Sequence, residues 1–171
     1  MKEYTLRTEL WLPRPRTEVF SFFADARNLG EITPPWLQFE ILTPEPSPLE
    51  VGLLIDYRIR LNRLPIRWQT KIVEWEPPHR FVDMQTRGPY RRWQHTHIFE
   101  EHDGGTLCID LISYRPRGGS LANSLFVGKS LNRILDYRTA RLKALFQPRS
   151  SAGEEKAPGV VQIQGEGDPP D

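Results

Sequence analysis

Hydrophobic and polar residues alternate with a period of two along much of the chain, which is the pattern of a β-strand with one buried face. The segments between the alternating runs are rich in Pro, Gly, Asp and Asn, which favour tight turns. Consecutive strands joined by short turns pair antiparallel. The pattern therefore predicts a seven-stranded antiparallel sheet, with strands at about residues 3–12, 37–43, 51–62, 66–76, 80–87, 91–101 and 106–114.

A helical period replaces this alternation in two places. Apolar residues at helical spacing after Pro15 predict two short helices between the first and second strands, before the Pro34-Pro35 pair. Residues 120–146 carry a single apolar stripe, which predicts one long amphipathic helix. The stripe contains Val127, Leu131, Ile134, Leu135, Leu142 and Leu145.

This order of elements predicts an α+β fold in which a curved sheet wraps around the long C-terminal helix. At about 1.5 Å per residue the helix would be about 40 Å long, which is enough to cross the whole sheet. A strongly curved sheet and a helix do not close flush along their length. We therefore expect a cavity between them, and such places commonly hold small molecules.

The end of the chain has a different composition. Residues 147–171 hold two basic and five acidic residues, many Pro, Gly and Ser, and no periodic apolar face. This composition is typical of a disordered segment. The sequence predicts one folded domain at residues 1–147, followed by a disordered acidic tail at residues 148–171.

The overall composition narrows the class of protein. Hydrophobic residues at 38% and charged residues at 26% are ordinary for a globular protein. The formal net charge of +1 argues against nucleic-acid binding and against stable membrane association. No apolar run approaches the ~18 residues of a membrane span, and the N-terminus lacks a signal-peptide core, so we expect a cytoplasmic protein. The single Cys108 excludes an intrachain disulfide.

Four stretches resemble the SRPBCC superfamily, the START and polyketide-cyclase-like helix-grip proteins. They are VFSFFADARNLGEITPPW, RWQTKIVEWEPPHRFVDMQTRGPYRRWQHTHIFEE, GGTLCIDLISYRPRGG and ILDYRTARLKALF. The resemblance covers about residues 3–147 and is strongest to a bacterial ligand-binding branch, sometimes attached to sugar-nucleotide-epimerase-like proteins. It implies a helix-grip fold, a deep pocket for a small apolar or amphipathic molecule, no obligatory cofactor, and a partner enzyme as one option.

The stretch RRWQHTHIFEE at residues 91–101 carries the candidate chemistry. In a strand, Trp93, His95, His97 and Phe99 lie on one face. Two titratable imidazoles therefore share a face with two large aromatic side chains, and that face is normally the buried one. Buried imidazoles need hydrogen-bond partners or a ligand.

Turn chemistry predicts which residues lie opposite the two histidines. A three-residue loop before the stretch places Asp83 opposite His95. A two-residue Asp103-Gly104 turn after the stretch places Asp110 opposite His97. Directly opposed side chains have Cβ atoms about 4.5–5.5 Å apart and can hydrogen-bond. Each histidine would then have a carboxylate beside it.

Two registers remain possible for the second hairpin, which joins residues 91–101 to residues 106–114. The Asp103-Gly104 turn directs Leu107, Ile109 and Leu111 to the face where water is expected. A slip of one residue would bury these three side chains and turn Asp110 outward. The preceding hairpin, which pairs Asp83 with His95, has no such conflict between turn geometry and burial.

The predicted binding site combines an apolar wall with polar groups at one end. Arg138 lies in the middle of the helix stripe and needs a partner, because an unpaired buried charge costs several kcal/mol. The residues expected to line the apolar body are Trp68, Phe81, Trp93, Phe99, Leu131, Leu135 and Leu142. Those expected to orient the polar end are Asp83, Gln85, His95, His97, Tyr114 and Arg138.

The same residues leave other interpretations open. The histidines could form an internal network that only fixes strand register. A cyclase or dehydratase type of enzyme would move a proton with the His95–Asp83 pair. A regulatory module for a partner enzyme is a third alternative. Two imidazoles two residues apart can share a metal, but no third ligand has the required spacing, so no metal site is predicted.

Overall fold

Seven antiparallel strands form one curved sheet in the computed structural model, which describes residues 2–44, 48–61 and 64–146. The spatial order is β1-β7-β6-β5-β4-β3-β2, so the first strand closes the meander by pairing with the last. The predicted α+β helix-grip fold is confirmed. The strands are β1 (Tyr4–Leu12), β2 (Glu40–Ile41), β3 (Leu54–Leu61), β4 (Leu64–Glu76), β5 (Arg80–Arg87), β6 (Tyr90–His102) and β7 (Gly105–Pro116).

The segment between β1 and β2 contains short helices, as predicted, but only one of them is an α-helix. It contains one α-helix, α1 (Arg16–Phe23), and two 3-10 turns, Ala26–Gly30 and Pro35–Leu37. Pro35 takes the first position of the second turn, where its missing N–H costs no bond, and the left-handed Gln38 (φ 43°) ends that turn after three residues. The turn and its cap occupy Leu37 and Gln38, the first two residues of the strand predicted at residues 37–43. The observed strand β2 is only two residues long.

The long C-terminal helix is interrupted near its start. Helix α2 (Gly119–Ala122) is followed by a π-helical turn (Asn123–Val127) and then by α3 (Gly128–Phe146). A π turn holds an extra residue, which changes the phase of the side chains that follow it. Within α3 itself, Leu145 of the predicted stripe is 38% exposed, and the stripe ends instead on buried Phe146, which lies four residues after Leu142. The tail predicted at residues 148–171 lies outside the described residues.

Both hairpin registers follow the turn chemistry. Asp103 and Gly104 have φ of 45° and 73°, the double positive φ of a type I′ turn, and His102 pairs with Gly105 across it. The structure accordingly places His97 opposite Asp110 and Asp83 opposite His95. The one-residue slip does not occur.

The three apolar residues on the convex face of β7 are accommodated without the slip. Ile109 is 6% exposed, and Leu107 and Leu111 are half-buried. Their strand lies between β1 and β6, so both of its edges are covered by neighbours. A central strand can therefore keep apolar side chains on its outer face, which frees the inner face for Asp110.

The core consists of two hydrophobic clusters beneath the sheet. One contains Phe20, Phe81, Phe99 and Leu142 and is closed by α1. The other contains Trp68, Trp93, Tyr114, Leu131 and Leu135 and is closed by the first half of α3. The candidate site described below lies where these two clusters meet.

The thiol of Cys108 is expected to be unreactive in the native protein. Burial, and then the nearby charge of Asp110, raise the pKa of Cys108 to about 12. At about pH 8, alkylation by iodoacetamide should be at least about 100-fold slower in the native state than after unfolding in guanidinium chloride. Mass spectrometry of the time course measures both rates. Comparable rates in the two states would contradict the buried position of this side chain.

Candidate ligand-binding site

A cavity of about 520 Å³ lies between the concave face of the sheet and α3. Its volume falls within the range of small-molecule pockets, about 300–1,000 Å³. Phe126 lines this cavity and is 71% exposed, so the cavity reaches the surface beside the π-helical turn. The predicted site residues that line it are Trp68, Phe81, Asp83, Trp93, His95, His97, Leu131 and Arg138.

Three other predicted site residues are packed into the core instead. Phe99 contacts the rings of Phe20 and Phe23 at centroid distances of 5.4 and 5.0 Å. Leu135 and Leu142 belong to the two core clusters. Helix α3 contacts β1, so the side of the helix that carries Leu135 and Leu142 packs directly on the sheet. Leu131 and Arg138 face the cavity instead.

Tyr114 and Gln85 also lie outside the cavity lining. Tyr114 is 1% exposed and stacks on Tyr4 at 5.7 Å. The side-chain amide of Gln85 donates to the carbonyl oxygen of Tyr90 at 2.9 Å and so closes the β5–β6 turn. An extra residue of β5, Thr86, lies between the pairs Thr70–Gln85 and Gln69–Arg87, so Gln85 is the last regularly paired residue before a bulge.

Five side chains form a buried polar cluster at the inner wall of the cavity: Asp83, His95, His97, Asp110 and Arg138. His97 is central, with Nε2 hydrogen-bonded to Oδ2 of Asp83 at 3.1 Å and Nδ1 lying 2.8 Å from Oδ1 of Asp110. The same Asp110 oxygen lies 3.2 Å from Nε2 of His95. Nε of Arg138 lies 3.8 Å from Oδ2 of Asp110. Asp110 therefore joins three cations or potential cations from two elements.

The contacts to Asp110 are ion pairs rather than well-aligned hydrogen bonds. Nδ1 of His97 and Nε2 of His95 lie within hydrogen-bond distance of Asp110 but not at a favourable angle. Nε of Arg138, at 3.8 Å, is beyond hydrogen-bond distance. Distance decides the electrostatic attraction, whereas hydrogen-bond strength depends on the angle. We therefore treat Asp110 as the electrostatic centre of the cluster.

The two histidines have opposite pKa shifts although their ring centroids are only 3.8 Å apart. Burial alone would lower the pKa of His97, but the carboxylates of Asp110 and Asp83 outweigh it and raise that pKa. Burial lowers the pKa of His95, and the charge of His97 lowers it further. His97 is thus the histidine that carries the proton when only one is charged.

The carboxylates of the polar cluster stay ionised despite their burial. Desolvation would raise the pKa of Asp110, but His95, Arg138 and His97 together hold it well below its usual value. Desolvation is likewise outweighed at Asp83, mainly by the hydrogen bond from His97, and the pKa of Asp83 is lowered. Arg138 supplies one fixed positive charge beside these two negative charges, and His97 is the group that can supply a second.

Several polar residues of this region were missed from the sequence. Thr70 donates its hydroxyl to Oδ1 of Asp83 at 3.3 Å. Thr70 and Tyr57 both line the cavity. Burial, and then the charge of Asp83, raise the pKa of Tyr57 well above its usual value, so its phenol stays protonated. Only the alternation in β3 and β4 could have indicated these two positions, and it does not identify which inward residues reach the cavity.

The predicted His95–Asp83 pair is correct in register but not in side-chain contact. Their backbones are paired, yet the short contact of Asp83 is to His97, one step along the same face of β6. Diagonal neighbours on adjacent strands are within reach of long side chains. Asp83 therefore interacts with the histidine that Asp110 opposes.

A curved antiparallel sheet closed over a C-terminal helix is the helix-grip architecture of the SRPBCC superfamily. The sequence model of the family described as "Polyketide cyclase / dehydrase and lipid transport" matches residues 12–143. The chain belongs to this family. No functionally curated protein matches the chain in sequence.

Solved structures of low sequence identity share the fold. Protein Ms6760 from Mycobacterium smegmatis is 19% identical, with a TM-score of 0.62 over 83% of this chain and 90% of that one. Protein CV1439 from Chromobacterium violaceum is 16% identical, with a TM-score of 0.64 over 85% and 98%. Major latex-like protein 151 from Panax ginseng is 14% identical, with a TM-score of 0.64 over 85% and 99%. Among the described residues, no helix has the length and apolar character needed to cross a bilayer.

Proposed function

We propose that the protein binds a small, largely apolar molecule in the cavity, with the polar cluster orienting one end of it. The observation that carries this proposal is the combination of an open cavity of about 520 Å³ with aromatic and aliphatic walls and a charged cluster on one wall. Burial of an apolar ligand contributes about 25 cal/mol per Å² before the cost of association is subtracted. A few polar groups then decide which molecule fits.

Unpartnered donors favour a ligand that carries hydrogen-bond acceptors. Nε1 of Trp68 and Nε of Arg138 are buried beside the cavity and have no hydrogen-bond partner among the described residues. A buried donor without an acceptor costs about 1–3 kcal/mol. A carbonyl, carboxylate or hydroxyl oxygen on the ligand would remove this cost. We therefore expect an apolar body that bears at least one oxygen acceptor.

The proposal is tested by filling the cavity from α3. Ile134 is half-buried and lines the cavity, whereas Ala140 lies on the same helix and is exposed. We expect Ile134→Trp to weaken binding of the fluorescent probe 1-anilinonaphthalene-8-sulfonate at least about tenfold, a loss of about 1.4 kcal/mol. Ala140→Trp, which adds the same side chain outside the cavity, should leave the dissociation constant unchanged.

A fluorescence titration of both variants and the parent protein measures this difference. Near-ultraviolet circular dichroism checks that each variant keeps its tertiary packing, because loosely packed states also bind the probe. Equal affinity in all three proteins, or no saturable binding to the parent, would overturn the proposal. Native mass spectrometry of the purified parent protein would identify any copurified ligand.

The finer alternatives from the sequence stay predictions. These are proton transfer by a cyclase or dehydratase type of enzyme, regulation of a partner enzyme, and a cytoplasmic location. For the enzyme alternative, the contact distances favour His97 over His95 as the partner of Asp83. Substrate turnover lost in His97→Gln, with probe binding retained, would support that alternative.

A further inference from the structure

We propose that Asp83, His95 and His97 form a binding site for one divalent transition-metal ion of the Zn²⁺ type, on the inner wall of the cavity. One potential ligand atom from each residue lies within 4.8 Å of the other two. All three residues line the cavity, and both histidines are more than nine-tenths buried. The site does not depend on an organic ligand, so it is separate from the proposed binding function.

The distances within this trio suit a metal after small side-chain rotations. Two donors bound tetrahedrally to Zn²⁺ at about 2.0–2.1 Å lie about 3.3 Å apart. Nε2 of His97 and Oδ2 of Asp83 are already 3.1 Å apart. The largest separation in the trio, at most 4.8 Å, needs to shorten by about 1.5 Å, which rotation of the His95 ring and the Asp83 carboxylate can supply.

Asp110 is positioned as the outer partner that such sites require. A metal-bound histidine usually presents its other ring nitrogen to a carboxylate, which fixes the ring orientation and raises the basicity of the ligand. Asp110 lies 2.8 Å from Nδ1 of His97, on the opposite side of the ring from Nε2 and Asp83. It also contacts His95 through Nε2, so one carboxylate orients both imidazoles.

The present contacts of His95 and His97 allow their rings to rotate toward a metal. Neither Nε2 of His95 nor Nδ1 of His97 has a hydrogen bond among the described residues, although both are fully buried atoms. Both nitrogens lie close to Oδ1 of Asp110, at 3.2 and 2.8 Å, without the alignment of a strong hydrogen bond. Rotation of either ring toward a metal can align its other nitrogen with Asp110.

The charges of the polar cluster also favour a cation. Asp83 and Asp110 supply two negative charges, and Arg138 supplies the single permanent positive charge close to them. Two imidazoles and one carboxylate are ligands that suit Zn²⁺, Fe²⁺, Co²⁺ and Ni²⁺. Three protein ligands leave at least one coordination position open. That position would face the cavity, where water or a ligand oxygen could occupy it.

Sequence spacing could not indicate this site. The two histidines are adjacent on one strand face, but the third ligand comes from the neighbouring strand and reaches them diagonally. A cross-strand ligand leaves no fixed spacing along the chain. The prediction of no metal site rested on spacing along the chain and did not take account of a ligand from the neighbouring strand.

Direct metal binding to the chelator-treated, full-length protein tests the proposal. We expect isothermal titration with Zn²⁺ and native mass spectrometry to give one tightly bound ion per chain. The double variant Asp83→Asn with His95→Gln should weaken binding by more than the about 10–100-fold that loss of an outer partner costs. The matched control is His102→Gln with Asp103→Asn, an exposed histidine–aspartate contact at 3.2 Å, which should bind Zn²⁺ as the parent does.

A spectroscopic measurement on the parent protein covers the case in which the double variant fails to fold. Cu²⁺ or Co²⁺ bound at this site should show nitrogen couplings from two imidazoles by pulsed electron paramagnetic resonance. No stoichiometric binding, coupling to fewer than two imidazoles, or loss of binding in the His102 and Asp103 control alone would each overturn the proposal. Probe binding to the cavity is measured without metal, so the two proposals can fail independently.

Discussion

Replacing Asp110 by asparagine is expected to lower the free energy of unfolding by about 3–5 kcal/mol, the usual result of removing one partner from a buried ion pair. The change leaves Arg138 and His97 beside a neutral amide in a buried site. Their charges would lose the carboxylate that offsets their desolvation. Urea unfolding followed by tryptophan fluorescence measures the difference.

An exposed aspartate provides the control for this experiment. Asp103 contacts His102 but has a side chain that is 84% exposed. Asparagine is well tolerated at its positive φ, so Asp103→Asn should change stability by less than about 0.5 kcal/mol. Similar losses in both variants would show that Asp110 does not hold the cluster together. Arg138→Met combined with Asp110→Asn should recover part of the loss, because the unpaired guanidinium is removed.

Truncation of Phe99 to alanine is expected to cost about 3–5 kcal/mol of unfolding free energy. Phe99 is 2% exposed, and its ring packs against Phe20, Phe23 and Phe81. Deleting it removes the transfer free energy of a buried ring and leaves a void that its rigid neighbours cannot fill. Denaturant unfolding of purified Phe99→Ala measures the loss.

A residue on the cavity wall should behave differently. Ile134 lines the cavity, so one side of its side chain already lacks packing partners. Ile134→Ala should therefore cost less than about 2 kcal/mol, the lower end of the range for fully packed core positions. A loss equal to that of Phe99→Ala would mean that the space between sheet and helix is filled. This comparison tests the cavity without any ligand.

Local patterns were sufficient to predict most of the architecture. Strict alternation through residues 91–101 placed His95 and His97 on the inner face, and both are buried there. The Asp103-Gly104 turn predicted the register that brings Asp110 opposite His97. A type I′ turn sets the pairing of its own hairpin, so no information from elsewhere in the chain was needed.

The sequence predicted less well which residues line the cavity. Phe99 and Leu142 have the same facing as the lining residues, but they lie where helices close on the sheet. Gln85 was misplaced because its side-chain amide binds the backbone of Tyr90 at the β5–β6 turn instead of reaching the cavity. Facing is a property of a strand, whereas exposure to a cavity depends on what packs opposite.

Sequence alone determined the order of elements, the antiparallel sheet, its hairpin registers and the burial of the two imidazoles, because each follows from side-chain period or turn geometry within about a dozen residues. Only the tertiary structure decided that Asp83 contacts His97 and that Asp110 contacts both imidazoles and Arg138. It also decided that Tyr57 and Thr70 complete that wall. These residues lie on five strands and one helix. Their geometry depends on the curvature of the sheet and on the phase of α3 after the π-helical turn, which no local pattern encodes.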